Sequence, residues 1–225
     1  LVISIISLFF LTSFIGLSVN GKNTITINAS SKPVENYETQ EEFDTIQEAI
    51  DDEDTMDGHT IGVKMGTYYE NVVIDKSINL MGEGNERPII YGSGEDGTST
   101  IKIESHDVTV REFIIKNGGS DWHYPYYLDA VISVQGSECS IVDNIITSSQ
   151  GPGIVLSSED WNSLSLNNHI YENEICYVTM PIWIRCSKSN IIEDNDIHDN
   201  GVGLYLRPYN DFQDVNKPKG KNVIE

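Results

Sequence analysis

The sequence is poor in basic residues. Its 225 residues include 14 lysines and arginines against 35 aspartates and glutamates, which gives a formal net charge of -21. No basic stripe is available to neutralise phosphates, and this argues against a nucleic-acid-binding protein. Such a balance is typical of a soluble, self-repelling surface, and it is compatible with binding of hard cations such as calcium.

Cysteine is also scarce, since only Cys139, Cys176 and Cys186 are present. Three cysteines exclude a dense disulfide framework, because at most one pair can form. A Cys176–Cys186 disulfide is one alternative, and buried free thiols are the interpretation that we favour. The sequence contains no Cys-x-x-Cys pair, no Cys/His spacing typical of zinc sites, no nucleotide-binding loop and no nucleophile elbow.

A long apolar run occurs once, in residues 1–17, which carry no charge. Its length, and the small residues Gly16 and Ser18 at its end, predict a signal peptide within residues 1–19, with an uncleaved N-terminal anchor as the alternative. Both place the remainder outside the cytoplasm, as a secreted, periplasmic or cell-surface protein. Because no second run follows, we expect no later membrane-embedded segment. The polar residues 20–40 predict a linker or a loose first strand.

One short helix is predicted, over residues 43–50. Phe43, Ile46 and Ile50 lie at positions i, i+3 and i+7, which form one face of a helix. Asp44 and Thr45 are both candidates for its N-cap.

Short β-branched segments make up the chain beyond Thr60, without helical periodicity, and these segments repeat. One apolar column recurs at Ile132, Ile154, Ile182 and Leu204. A second column runs through Val110, Ile141, Ile170 and Ile192. The shortest spacing, from 132 to 154, is 22 residues. This pattern predicts an all-β fold, a parallel solenoid over residues 41–225 whose turns stack about 4.8 Å apart. Asn144, Asn173 and Asn195 recur at one position and predict an asparagine ladder.

Three segments carry a resemblance to a known family: FDTIQEAI at 43–50, GTYYENVVI at 66–74 and INLMGEG at 78–84. They resemble the N-terminal part of pectin-lyase-like β-helix proteins, and the later Asn-Asx-Ile and Gly-x-Gly-Ile/Leu turns resemble the repeats of NosD-like proteins. Met65 departs from the pattern, which usually has proline there. The resemblance implies a right-handed parallel β-helix, capped by the short helix and incomplete at its C-terminal end. It leaves function open, because such proteins include lyases, hydrolases, esterases, epimerases and non-enzymatic binders.

Aromatic residues at outward positions and in the segments inserted at corners are the candidate contacts for a sugar, because sugar C–H faces stack on aromatic rings. They are Trp122, His123, Tyr126, Trp161, Trp183 and Tyr205. The alternative is that these rings pack onto the flank of the solenoid.

Two further sets of outward residues suggest chemistry. Arg185 and Arg207 recur on adjacent turns and could clamp an anionic glycan, or else form ion pairs with local acids such as Asp211. Asp143, Glu172 and Asp194 share another position and are candidate ligands for calcium, the only cofactor that the sequence suggests. If the protein is an enzyme, the catalytic candidates are the two arginines together with Asp194 and Asp196. A solvated acidic edge is the alternative interpretation of the carboxylates.

Three functions follow from these observations. The first is an exported or cell-surface β-helix that binds or processes polysaccharide, with an acidic glycan as the expected ligand. The second is a polysaccharide lyase or glycoside hydrolase, and the third is a NosD-like periplasmic accessory protein. No pectin-esterase or polygalacturonase signature is present to choose among them.

Overall fold

The computed structural model describes residues 16–20, 24–28, 32–119, 129–158, 164–207 and 223–224. Residues 1–32 form one unit, in which β1 (Gly16–Asn20) and β2 (Thr24–Asn28) pair as an antiparallel hairpin. Residues 33–225 form a second unit, which is described below. Within the described ranges, no helix has the length and apolar character needed to cross a membrane.

Three sheets build the second unit. Sheet I contains β7 (Val72–Ile74), β10 (Ile101–Ile103), β13 (Ile132–Val134), β16 (Pro152–Leu156), β20 (Met180–Arg185) and β24 (Tyr205–Arg207). Sheet II contains β3 (Val34–Asn36), β4 (Glu41–Phe43), β5 (Thr60–Val63), β8 (Asn79–Gly82), β11 (Thr109–Arg111), β14 (Ser140–Val142), β18 (His169–Tyr171), β22 (Ile191–Glu193) and β25 (Val223–Ile224). Sheet III contains β6 (Thr67–Tyr68), β9 (Ile89–Tyr91), β12 (Ile114–Lys116), β15 (Ile145–Thr147), β19 (Glu174–Cys176) and β23 (Asp196–His198). A short pair, β17 (Ser165–Leu166) and β21 (Ser187–Lys188), completes the list.

The chain passes through the sheets in a fixed cycle from sheet II to sheet III to sheet I, beginning with β5, β6 and β7. Each strand pairs in parallel with the equivalent strand of the next turn, as β14 does with β18 and β18 with β22. Among the described strands of this unit, antiparallel pairing is confined to β3 with β4 and β5. The predicted parallel solenoid is therefore confirmed. β3 lies within residues 20–40, for which a linker or a loose first strand was predicted, and this part of the segment is a strand of sheet II.

The two predicted apolar columns lie inside the coil. Ile132, Ile154 and Ile182 are successive partners in sheet I, and each is 0% exposed. The column Val110, Ile141, Ile170 and Ile192 is likewise in register in sheet II and buried. Leu204, expected to continue the first column, is instead 38% exposed. It precedes the edge strand β24, and no described turn packs beyond that strand.

One helix, α1 (Ile46–Asp51), packs against β3, β4, β5 and β7, where it covers the first turn. Ile46, Ala49 and Ile50 are fully buried in this contact. Thr45 is the N-cap, and its hydroxyl accepts a hydrogen bond from the Glu48 amide. The helix begins later than predicted, because Phe43 pairs with Val34 in the antiparallel β3–β4 ribbon.

The predicted asparagine ladder occupies the corner between sheets II and III. The Asn173 side-chain oxygen accepts from the Asn144 amide at 3.0 Å, and Asn195 accepts from the Asn173 amide in the same way. Each side-chain amide also donates to a backbone carbonyl of the preceding turn, for example Asn173 Nδ2 to Ile141 O at 2.8 Å. The ladder thus satisfies buried backbone groups that the sharp corner leaves without strand partners. The three cysteines are buried thiols that form no disulfide, as favoured above.

Candidate functional site

The acidic positions predicted from the repeat lie at this same corner, where one residue per turn adopts a left-handed backbone. Glu112, Asp143, Glu172 and Asp194 have φ values of 68, 53, 57 and 53°. The next residue is the ladder position, which is the buried Asn144 or Asn173 or the partly buried Asn195 in the last three turns. The turn of the backbone therefore directs successive carboxylates to one outer edge of the coil. These carboxylates lie close together because they occupy equivalent positions in successive turns, as the repeat predicts.

Asp143 differs from its neighbours because a basic residue from outside its own turn holds it. The Arg87 guanidinium, which enters the corner just before β9, lies 2.5 Å from Asp143 Oδ1 and also donates to the Asp143 carbonyl. A carboxylate paired with guanidinium is a poor calcium ligand, because the cation would have to displace a charge-assisted hydrogen bond. Of the predicted calcium ligands, Asp143 is thus engaged, and Glu172 and Asp194 are exposed.

A groove of about 250 Å³ runs along the corner onto the outer face of sheet III. Its lining residues are Arg87, Asp143, Asn144, Ile145, Glu172, Asn173, Glu174, Asp194 and Asp196. Within the described part of the chain, the carboxylates of Glu172, Asp194 and Asp196 form no hydrogen bond or ion pair. Their oxygens are thus available to accept hydrogen bonds from hydroxyl groups or to contact a cation.

Sheet III carries a second cluster beside the groove, formed by outward side chains of β19 and β23. Glu174 Oε1 lies 3.5 Å from His198 Nε2 and 3.7 Å from Cys176 Sγ. The other ring nitrogen, His198 Nδ1, lies 3.0 Å from Asp199 Oδ2. Cys176 is only 4% exposed.

The pKa values of this second cluster follow from its surroundings. The hydrogen bond to Asp199, together with the charges of Asp196 and Asp199 and the hydrogen bond to Glu174, raises the pKa of His198 above its ordinary value. Burial raises the pKa of the Cys176 thiol. Both groups therefore hold their protons more strongly than in a free peptide, so long as nothing else binds to them.

Sequence reasoning missed the second cluster. No zinc-type spacing is visible because the three side chains come from adjacent turns, and Cys176 and His198 are 22 residues apart. The repeat could have indicated this cluster, because the alignment that pairs Glu174 with Asp196 also pairs Cys176 with His198. Because adjacent residues of a strand point in opposite directions, the sequence alone predicts no contact between His198 and Asp199. The structure differs because Asp199 lies at the corner after β23 with a φ of 52°, and this turn brings its carboxylate back to the imidazole ring.

The arginine and aromatic positions lie on a different face, the outside of sheet I. Arg185 and Arg207 are partners in the β20–β24 register, as are Trp183 and Tyr205, whose rings lie 6.0 Å apart. Trp183 is only 6% exposed and packs with Ala130, Val155 and Met180, whereas Tyr205 is 48% exposed. Packing on the flank, the alternative stated above, therefore describes Trp183.

The predicted sites thus fall into two groups. Asp194 and Asp196 lie at the groove, whereas Arg185 and Arg207 belong to sheet I, and the structure does not bring the two pairs into one site. The other candidate sugar contacts, Trp122, His123, Tyr126 and Trp161, lie outside the described residues.

Comparison with known proteins agrees with the architecture. Residues 129–213 match the family model described as a right handed beta helix region. A cell surface glycoprotein of Methanothermus fervidus is 32% identical over 210 residues, which are 84% of this chain and 30% of the glycoprotein. Pectinesterase 1 of Arabidopsis thaliana is 42% identical over 64 residues, or 26% of this chain and 11% of that enzyme. The chain therefore spans less than a third of either relative.

Among solved structures, a pectin methylesterase in complex with a hexasaccharide matches 69% of this chain and 68% of its own, with a TM-score of 0.40 and 14% identity. The fold of this chain is thus a parallel β-helix, since successive turns pair in parallel in each of the three sheets, and the family model that matches residues 129–213 describes the right-handed form.

Proposed function

We propose that this chain is part of a cell-surface β-helix protein that binds polysaccharide along its outer surface, at the groove between sheets II and III. The observation that carries the proposal is the repetition of Asp143, Glu172 and Asp194 at one corner of three successive turns, within one groove. The similarity to an archaeal cell surface glycoprotein over 84% of the chain supports the location.

A ladder of equivalent carboxylates suits a polymeric ligand. Successive turns present the same acceptor about 4.8 Å further along the coil, so a chain of sugars meets the same group repeatedly. Carboxylate oxygens accept hydrogen bonds from sugar hydroxyls, and exposed Glu172, Asp194 and Asp196 offer such oxygens. Low affinity per contact is compatible with tight binding overall, because many contacts act together.

The negative charge of the groove determines how an acidic glycan can bind there. Several carboxylates in one groove repel an anionic chain unless a divalent cation lies between them. An acidic glycan therefore binds the groove through calcium, with Glu172 and Asp194 as the protein ligands. The arginine pair on sheet I is the alternative surface for an acidic glycan, and it requires no cation.

A glycan array with the purified protein tests this proposal. Binding is measured in calcium and in chelator, for the unaltered chain and for the double variant Asp194→Asn/Asp196→Asn. We expect the variant to lose binding, because its groove loses two charged acceptors. Glu53→Gln/Glu95→Gln, which neutralises two exposed carboxylates outside the groove, is the charge-matched control and should bind normally.

The pattern of losses distinguishes the surfaces. Loss in chelator together with loss in the groove variant supports the calcium-bridged acidic glycan, and loss of binding in Arg185→Ala/Arg207→Ala alone would move the ligand to sheet I. Absence of binding to every glycan under both conditions would overturn the proposal. Ultraviolet absorbance from unsaturated uronates in the same mixtures reports whether cleavage follows binding.

A further inference from the structure

The second cluster, formed by Glu174, Cys176 and His198 on the outer face of sheet III, has the composition of a transition-metal site. One carboxylate, one thiolate and one imidazole are ligands typical of zinc, whereas calcium takes oxygen ligands. We infer that these three side chains bind a divalent transition-metal ion, zinc by preference, at a site beside the polysaccharide groove proposed above, which also contains Glu174 in its lining.

The distances between the three side chains fit a tetrahedral ion. With zinc-ligand bonds of about 2.0–2.3 Å, neighbouring ligand atoms of a tetrahedron lie roughly 3.4–3.6 Å apart. The observed spacings are 3.5 Å from His198 Nε2 to Glu174 Oε1 and 3.7 Å from Cys176 Sγ to Glu174 Oε1. All three ligand atoms lie within 4.8 Å of one another, so small side-chain rotations complete the geometry.

Rigid elements hold the ligands. Glu174 and Cys176 are two residues apart on β19 and point to the same side, and His198 is the register partner of Cys176 on β23. Both strands are hydrogen-bonded into sheet III over a buried core, so the site needs little reorganisation before an ion binds.

The position of Asp199 is an independent indication that His198 can bind a metal ion. Histidine ligands usually donate their second ring N–H to a carboxylate, which fixes the tautomer and directs the other nitrogen at the metal. His198 Nδ1 has this contact with Asp199 Oδ2 at 3.0 Å, and Nε2 consequently faces Glu174 and Cys176. A carboxylate on each side of one ring favours a positive charge between them, which is supplied either by a second proton on the imidazole or by a metal ion at Nε2.

The matched comparison in the same molecule is His169, which lies 2.8 Å from Glu193 on the outside of sheet II. This pair has a histidine and a carboxylate on adjacent turns and belongs to no three-ligand cluster among the described residues. If a histidine and a glutamate were sufficient to bind the metal, the His169–Glu193 pair would bind it as well. We expect binding at the second cluster alone, because only that cluster adds the thiolate of Cys176.

Cobalt titration of untagged, demetallated full chain tests the inference, because cobalt replaces zinc and reports thiolate ligation by a near-ultraviolet charge-transfer band. We expect one equivalent of cobalt to bind with that band and zinc to displace it. Cys176→Ser should abolish the band, and His198→Gln and Glu174→Gln should weaken binding. Asp199→Asn should weaken it by about 10–100-fold, the usual effect of losing the partner of a ligating histidine.

Two variants serve as controls, Cys186→Ala for the thiol and His169→Gln for the imidazole, and both should bind cobalt as the unaltered chain does. Circular dichroism of each variant reports folding, and His198→Gln, at a partly exposed position, provides a second variant if Cys176→Ser fails to fold. Absence of the charge-transfer band in the folded chain, or its persistence in Cys176→Ser, would overturn the inference. A proton shared by the histidine and its two carboxylates would then explain the cluster.

Discussion

Single residues at the corners of the coil hold backbone groups that no strand partner reaches. Asn173 accepts hydrogen bonds from the backbone and the side chain of Asn144, and it donates to the carbonyls of Ile141 and Tyr171. One side chain therefore connects two turns of the solenoid, which explains why asparagine recurs at this position.

The change Asn173→Ala should lower the free energy of unfolding by at least about 1–3 kcal/mol, the cost of one buried polar group left unsatisfied. Urea unfolding followed by circular dichroism measures the effect. Asn85→Ala, at an exposed asparagine, should change stability by less than about 0.5 kcal/mol. Equal effects of the two substitutions would contradict a structural role for the ladder.

Site residues could be predicted where the repeat places them and not elsewhere. The acidic corner follows from sequence because equivalent positions stack, and the pairing of Cys176 with His198 follows from the same alignment. The contact of Arg87 with Asp143 does not, since it joins positions 56 residues apart that are not equivalent in the repeat. For Trp183 the sequence offered burial on the flank only as an alternative to sugar contact, because the repeat shows that a residue points outward but not what packs against it.

At the level of the elements, α1 depends on two devices at its start. Thr45 caps the helix, and the Glu70 carboxylate accepts hydrogen bonds from the amides of Ile46 and Gln47. Both satisfy first-turn amides that have no partner within the helix. The N-cap was among the two predicted candidates, whereas Glu70, which lies 24 residues from Ile46, could not be assigned from sequence.

Thr45→Ala should destabilise the protein by about 1 kcal/mol, because the Glu48 amide loses its acceptor. Thermal unfolding of the variant measures the loss. Thr45→Ser keeps the hydroxyl and should restore most of the stability. If the serine variant melts like the alanine variant, packing of the threonine methyl group and not capping is responsible.

For the whole molecule, stability rests on apolar columns that continue from turn to turn. Ile182 is 0% exposed and lies over Ile154 in sheet I. These columns gave the strongest sequence signal, because similar apolar segments that recur every 22 to 31 residues have few structural explanations other than stacking. The exposed Leu204 shows where the apolar pattern does not predict burial. Leu204 follows the pattern of the column, but it precedes the edge strand β24, beyond which no described strand packs to bury it.

Ile182→Ala should cost about 2–5 kcal/mol, since it removes buried carbon atoms from a packed core. The matched control is Ile191→Ala, at an isoleucine that is 41% exposed on β22, and its cost should be much smaller. Denaturant unfolding of both variants gives the comparison. Similar midpoints for the two would mean that the inward column does not carry the stability of the coil.

The unequal lengths of the turns have a wider consequence. Ile101, Ile132, Ile154 and Ile182 are successive partners in one sheet although 31, 22 and 28 residues separate them. Added surface chain costs little entropy, so selection can lengthen or shorten a protrusion between two strands without altering the interior. A lineage carrying this architecture can therefore change what it displays to its surroundings while inheriting the same folding energetics.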